Sequence, residues 1–244
     1  MFTLLTQTKE NTNMICAIHQ PNFFPWLGYF NKIYRADIFV ILDEVAYPKN
    51  GRTMKGWGKR VSIIAGGEPC WASAPLVYEH CIQIIKDVKI KTSEPWQEKL
   101  IKTLTINYKK SKHFSEVFEI ISKLINYPSD SISKFNTNCI LELCNHLELK
   151  CKFIPQSTLQ TEFASTELLI EITKKVGANT YLCGGGASGY QQDELFQKEG
   201  INLVYQNFEH PIYPQLSKEF KPGMSIIDVL FNCGIDGTRD LISA

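Results

Sequence analysis

Short runs of consecutive apolar residues alternate, at both ends of this chain, with segments whose apolar residues recur every three or four positions. Ile15 to His19 is such a run and reads as a buried strand. Pro25 then stands where a helix can open, because its missing N–H would be unpaired there anyway. From Trp26 to Ala36, the residues Trp26, Tyr29, Phe30, Ile33 and Tyr34 keep helical spacing. Ile38 to Leu42 is again continuous and β-prone, and it ends on Asp43-Glu44. The pattern predicts a strand–helix–strand unit with parallel strands and a right-handed crossover.

A Gly-, Lys- and Arg-rich loop runs from Tyr47 to Arg60. Val61 to Ala65 and Cys70 to Val77 flank Gly66-Gly67 and predict a hairpin, and Ile82 to Ile90 reads as one more strand. From Glu94 to Leu149 the period becomes helical, with segments at about 95–109, 112–126 and 131–148. The last third returns to alternation. Lys152 to Pro155 is a strand, and Ser165 is placed to cap a helix over Thr166 to Val176 that Gly177 closes. Thr180 to Cys183 is a strand followed by Gly184-Gly185-Gly186. A helix near Gln191 to Lys198, a strand at Ile201 to Tyr205 and a helix capped by Ser225 complete the chain.

Alternation at both ends predicts an α/β fold with an open, mostly parallel sheet, Rossmann-like in outline. Residues 1–14 read as an N-terminal extension, and 15–244 as one domain with a helical insertion at about 94–149. Ligands of such sheets lie beyond the carboxyl ends of the strands. Two loops fall there: His19-Gln20-Pro21-Asn22 and Cys183-Gly184-Gly185-Gly186.

Composition narrows the function classes. Twenty-six Lys and Arg against 25 Asp and Glu leave a formal charge of +1, which gives no support for DNA binding or a polybasic membrane surface. Met1 to Asn13 has no long apolar core, and no stretch approaches the roughly 20 apolar residues of a membrane span, so a cytoplasmic protein without membrane insertion is expected. None of the eight cysteines has CxxC spacing, and most lie in apolar runs, so free thiols are expected and no metal site.

The loops carry the candidate chemistry. His19 could act as acid or base, and Gln20 and Asn22 supply neutral donors and acceptors, although such a loop can equally satisfy its own backbone. Asp43 and Glu44 could orient a hydroxyl, hold a metal or deprotonate an amine, against the commoner reading of a solvated strand end. Lys49, Arg52, Lys55, Lys59 and Arg60 could close over a pyrophosphate, against a merely solvated cationic face. The Gly triplet could present N–H groups to an anion, but it is neither a Walker motif nor a dinucleotide fingerprint. Cys183 could be a nucleophile, against the commoner reading of an inert strand-end thiol, and His210, in a Pro-rich loop with Tyr213 and Gln215, could reach the same pocket, against the commoner reading of a structural or exposed loop histidine.

Taken together, four blocks resemble the WbqC-like family. They are Ile18 to Phe30, Phe39 to Val45, Tyr181 to Tyr190, and Phe208 to Gln215 continuing through Ser225 to Asn232. The resemblance implies a place in bacterial surface-polysaccharide (O-antigen, lipopolysaccharide) synthesis. It also implies transfer of an acyl or aminoacyl group, glycyl above all, to the amine of a nucleotide-linked amino sugar. On that reading His19 deprotonates the amine and Asp43 orients it. Gln20, Asn22, Tyr29, Glu44, Lys49, Arg60, Gly184, Gly185, Gly186, Tyr190, His210, Tyr213 and Gln215 are candidate substrate contacts. No cofactor is implied. The acyl donor stays open between an acyl-carrier-protein thioester and an aminoacyl-tRNA, and ATP activation has no clear phosphate motif behind it.

The sequence departs from the family at Asp43-Glu44, where Asp-Asp is frequent, and at Cys183, where Ser is usual. An Asn-Arg-Asn-rich segment is blurred into Gly51 to Arg60. The first unit is also similar in outline to HxGH nucleotidyltransferases, with Trp26 and Tyr29 replacing both histidines, which argues against adenylyl transfer by those side chains. The alternative function is a non-catalytic nucleotide-sugar-binding or scaffold protein.

Overall fold

The structure is a computed structural model that describes residues 13–47, 56–77, 79, 82–185 and 191–244. Its centre is a five-stranded parallel sheet of β1 (Ile15–His19), β2 (Ile38–Ile41), β7 (Lys152–Pro155), β8 (Thr180–Cys183) and β9 (Asn202–Tyr205), in the order β7-β2-β1-β8-β9. The inner strands are apolar on both faces because helices cover both. Phe39 and Ile41 join one hydrophobic cluster, whereas Ile38 and Val40 join the other. Edge strands β7 and β9 are only partly covered, as their polar starts Lys152 and Asn202 require.

Helix α1 (Leu27–Tyr34) links β1 to β2. Pro25 lies two residues before its first turn rather than inside it, and its carbonyl accepts from the Ile226 N–H at the start of α7 (Ile226–Ser243). Ser225 caps α7 through its hydroxyl, as predicted. The α7 helix carries a break at Gly234, whose φ of 72° and ψ of −175° suit glycine.

Between β2 and β7 lie the antiparallel hairpin β3 (Arg60–Ala65) and β4 (Glu68–Ser73), then the short pair β5 (Leu76–Val77) and β6 (Lys89–Ile90). The strand expected from Cys70 to Val77 is thus divided. Pro75 supplies no N–H, so the ladder stops before it. The strand expected over Ile82 to Ile90 shrinks to β6, with a 3-10 turn at Ile85–Asp87 ahead of it, and Ile82 is 76% exposed. Helices α2 (Trp96–Tyr108), α3 (Phe114–Ile125) and α4 (Ile132–His146) fall where the periodicity placed them. They share a core with α1, α7 and one face of the sheet, where Phe23, Trp96 and Phe135 meet ring to ring.

On the other face lie α5 (Ser165–Lys175) and α6 (Asp193–Lys198). Ser165 does not cap α5. Ala164 holds that position, and Ser165 itself takes a φ of 53°. Gly177 and Gly200 close the two helices at positive φ, as expected. Among the described residues the cysteines are free, with Cys16, Cys139, Cys144 and Cys183 buried. No helix among the described residues is long and apolar enough to cross a membrane.

Strand growth runs from β1 outward through β2 to β7, then restarts on the far side of β1 with β8 and β9. The reversal falls between β1 and β8, and open α/β sheets take ligands in the crevice at such a switch point.

Candidate functional site

The carboxyl end of β1 presents His19, whose Nδ1 lies 3.0 Å from the Gln20 carbonyl oxygen. A carbonyl only accepts, so Nδ1 carries the proton and Nε2 keeps a free lone pair. The same carbonyl accepts from the Tyr29 hydroxyl at 3.0 Å. Tyr29 is buried and meets the imidazole edge to face, with ring centroids 4.8 Å apart. It therefore locks the loop and the imidazole plane rather than facing a ligand. Burial, and then the nearby Lys32 cation, push the His19 pKa down to about 3. The ring is neutral at physiological pH.

Lys32 was not singled out by the sequence. It is only 3% exposed, and it donates from Nζ to the Ile18 carbonyl at 3.0 Å. The same ammonium lies 6.0 Å from the centroid of the Tyr181 ring on β8. It therefore stands between β1 and β8 at the switch point. Burial pushes its pKa down to about 8, still charged at neutral pH. No carboxylate pairs with it among the described residues. A lysine at i+3 from Tyr29, on the buried face of α1, was the available signal.

Across the crevice, β8 ends on Cys183 and continues into Gly184 and Gly185. Among the described residues, a methyl group on either glycine would meet nothing within 4 Å. Cys183 is fully buried, and burial holds its thiol above the ordinary range despite the opposing pull of Lys32. It is a protonated thiol at neutral pH, as the inert reading expects.

Trp26 forms the rim. Its indole stands 6.2 Å from the His19 ring, and a methyl at Gly28 would sit 2.7 Å from its Nε1 and 2.8 Å from Phe208 Cδ1. Glycine at 28 lets both rings close over the start of α1. Gln206, just past β9, donates to the Gly28 carbonyl at 2.6 Å and to Asn31 Oδ1 at 2.8 Å, which anchors the rim to the sheet.

The other predicted residues lie elsewhere. Asp43 is buried with both oxygens engaged by Ser157, from its N–H at 2.9 Å and its hydroxyl at 2.8 Å. It pins the turn after β7 and makes no hydrogen bond to His19. Glu44 pairs with Lys86, and together with Gln156, Thr161 and Phe163 they line a separate open cleft of about 470 Å³ beyond β2 and β7. Asn22 is 2% exposed, and its Nδ2 has no hydrogen-bond partner among the described residues.

Tyr213 and Gln215 bind the Asp228 carboxylate of α7, with Tyr213 Oη at 2.7 Å and Gln215 Nε2 at 3.1 Å, and Tyr108 donates to its other oxygen at 2.7 Å. Burial raises the Asp228 pKa and these three donors oppose it. They form a structural network below the hairpin rather than a wall of the crevice. His210 is exposed beside Phe208, at a ring-centroid distance of 5.4 Å. Arg60 stacks on Trp71 of β4, with its Cζ 4.4 Å from the ring. Lys49, Arg52, Lys55, Gly186 and Tyr190 lie outside the described residues. Among the described residues no group of three His, Cys, Asp or Glu side chains is arranged to hold a metal.

The sequence profile of the WbqC-like protein family matches residues 20–240. An uncharacterised protein of Mycobacterium tuberculosis (strain ATCC 25618 / H37Rv) is 26% identical over 223 residues, covering 90% of this chain and 94% of that one. No solved structure matches.

Proposed function

The chain belongs to the WbqC-like protein family, and from that premise we propose that it transfers an acyl or aminoacyl group, glycyl in the first instance, to the amine of a nucleotide-linked amino sugar bound between β1 and β8. The observation that carries this reading is the convergence of His19, Lys32 and the Gly184 end of β8 at the switch point. A buried cation without a carboxylate favours an anionic ligand, and the diphosphate of a sugar nucleotide supplies one. The setting we propose is surface-polysaccharide synthesis.

In the transfer the amine nitrogen attacks the carbonyl carbon of the donor, a carrier-protein thioester or an aminoacyl-tRNA ester. The C–N bond forms, and the C–S or C–O bond to the donor breaks. The amine loses one proton and the departing thiol or hydroxyl gains one. With a pKa near 3, His19 takes a proton poorly from a free ammonium. Its Nε2 instead orients the neutral amine and accepts the proton once bond formation has made the nitrogen acidic. The Gly184 N–H is assigned to the developing oxyanion. ATP takes no part in the step as assigned.

The second reading is a sugar-nucleotide-binding module without turnover. Weak basicity at His19 and the full engagement of Asp43 by Ser157 favour it. The two readings part in one assay: incubation of the purified protein with a nucleotide-linked amino sugar and glycyl donors of both classes, followed by mass spectrometry of the sugar. An amide product with either donor supports transfer. Binding of the sugar nucleotide with no product from either donor supports the module.

A further inference from the structure

Transfer needs a second ligand, the acyl donor, and the sheet sets where it can stand. His19 on β1 pairs with Ile41 on β2, and Ile41 pairs with Pro155 on β7, so the three residues form one row across the carboxyl edge. The Leu42 N–H continues the row by donating to the His19 carbonyl at 2.8 Å. Neighbouring strands lie about 4.8 Å apart, so the end of β7 stands roughly 10 Å from His19. The cleft of about 470 Å³ opens just past this row, between Glu44 and Val45 after β2 and Gln156 after β7. It shares the edge with the switch point but lies on the side of β1 away from β8.

Its volume falls within the roughly 300–1,000 Å³ of small-molecule sites. Much of its wall is apolar, from Val45 and Leu168 to Phe163. Leu168 is 5% exposed, whereas Phe163 at the cleft stands 61% exposed. A ligand lying in the cleft would restore the burial that this phenyl ring forfeits. The polar groups balance one another. Glu44 and Lys86 form an ion pair. Gln156, 2% exposed, accepts from the Glu44 N–H at 3.2 Å and donates to Thr161 Oγ1 at 3.1 Å. Accepting that bond leaves the Thr161 hydroxyl hydrogen to donate to a ligand carbonyl.

This wall separates the two donor classes. An aminoacyl-tRNA end brings phosphodiesters, which bind through unneutralised cations. Lys86 is the one cation of the described wall, and its partner Glu44 repels phosphate. The pantetheine arm of a thioester is a flexible, uncharged chain of methyl, methylene and amide groups, which matches an apolar wall with a neutral hydroxyl. We infer that the cleft between β2 and β7 seats the pantetheine arm of a thioester acyl donor, with the sulfur end toward His19. The inference rests on the transferase reading and names its donor. As the amine nitrogen forms the C–N bond, the thioester C–S bond breaks, and the pantetheine sulfur leaves with the proton the amine gives up.

The test is a calorimetric titration of pantetheine, phosphopantetheine and coenzyme A into wild-type protein and the Ala164→Trp variant, with a nucleotide-linked amino sugar titrated in parallel. Ala164 lines the cleft and is exposed, so the indole fills the cleft without entering the core, and circular dichroism checks the fold first. We expect pantetheine and phosphopantetheine to bind wild type and to bind Ala164→Trp about tenfold more weakly or worse, while affinity for the sugar nucleotide stays unchanged. Coenzyme A binding as tightly as phosphopantetheine would make the free coenzyme the source of the arm, and weaker coenzyme A binding would make it a carrier protein; both support the cleft. Equal pantetheine affinity in wild type and variant would overturn the inference. So would sugar-nucleotide binding with no pantetheine binding, which leaves the acceptor site standing; binding of a glycyl-loaded acceptor-stem RNA in that case would give the donor role to the tRNA ester. If neither pantetheine nor the sugar nucleotide binds wild type, the inference and the reading beneath it fail together.

Discussion

Lys32 Nζ reaches from α1 to within 3.0 Å of the Ile18 carbonyl oxygen, so a helix side chain caps the strand where β1 and β8 part. Burying that ammonium opposes folding, because water solvates it better than one carbonyl and an aromatic ring do. Removing the charge should therefore stabilise the fold. Lys32→Met is expected to raise the unfolding free energy by roughly 1–3 kcal/mol, from the drop in pKa to about 8 less the lost hydrogen bond. The same variant should lose affinity for the sugar nucleotide. Denaturant melts and ligand titrations on one preparation read both effects, and a destabilised variant with intact affinity would refute the functional role.

The sign of the pH effect follows from the same group. The folded-state pKa of Lys32, about 8, lies below its unfolded value of 10.5, so between those pH values the unfolded chain binds more protons. The Lys32 contribution to stability therefore rises as pH increases from 8 through 10.5. The difference in melting temperature between Lys32→Met and wild type should shrink across that window. Subtracting the variant cancels the opposing effect of the thiols remote from Lys32, Cys139 and Cys144, which burial raises. A constant difference would contradict the buried, charged lysine.

For His19 the folded pKa of about 3 lies below the unfolded 6.5, so its contribution to stability is complete above about pH 6.5 and is lost as pH falls toward 3. In between, the native ring stays neutral. Ligand affinity and turnover should show no titration near pH 6.5 that disappears in His19→Asn. An NMR titration of the imidazole checks this directly, and a midpoint between 6 and 7 in the native protein would contradict it.

Gly28→Ala places a methyl 2.7 Å from Trp26 Nε1 and 2.8 Å from Phe208 Cδ1. One of the rings must move, at about 1–3 kcal/mol. Because Trp26 rims the crevice, affinity for the sugar nucleotide should fall along with stability, and tryptophan emission should shift. Loss of stability with unchanged affinity and emission would separate Trp26 from the site.

Tyr213→Phe tests the opposite assignment. It takes one hydroxyl from the buried Asp228 carboxylate, so stability should drop by roughly 1.5–3 kcal/mol. Affinity for the ligand should not change. If binding weakens tenfold with the fold intact, Tyr213 lines the site after all.

What the sequence made legible follows from the range of each interaction. The β1–α1–β2 unit and helices α2 to α4 rest on local periodicity, and they appear within a few residues of where it placed them. The His19 and Gly184-Gly185 loops fall together because both strand ends are local features and a parallel sheet aligns them. The partner of Asp43 is Ser157, 114 residues away, and that of Tyr108 is Asp228, 120 residues away, so no local pattern could assign either carboxylate. Lys32 was hidden for another reason. A lysine beside apolar helix positions normally reaches out to water, and only the packing of α1 against the strand ends turns it inward.

The most direct test of the central claim is a calorimetric titration of a nucleotide-linked amino sugar into wild-type protein and into Lys32→Met. The account predicts saturable binding at one site in wild type and at least tenfold weaker binding in the variant, with the variant as stable as wild type or more so. Equal binding in both, or none in wild type, would contradict a ligand site at the switch point between β1 and β8.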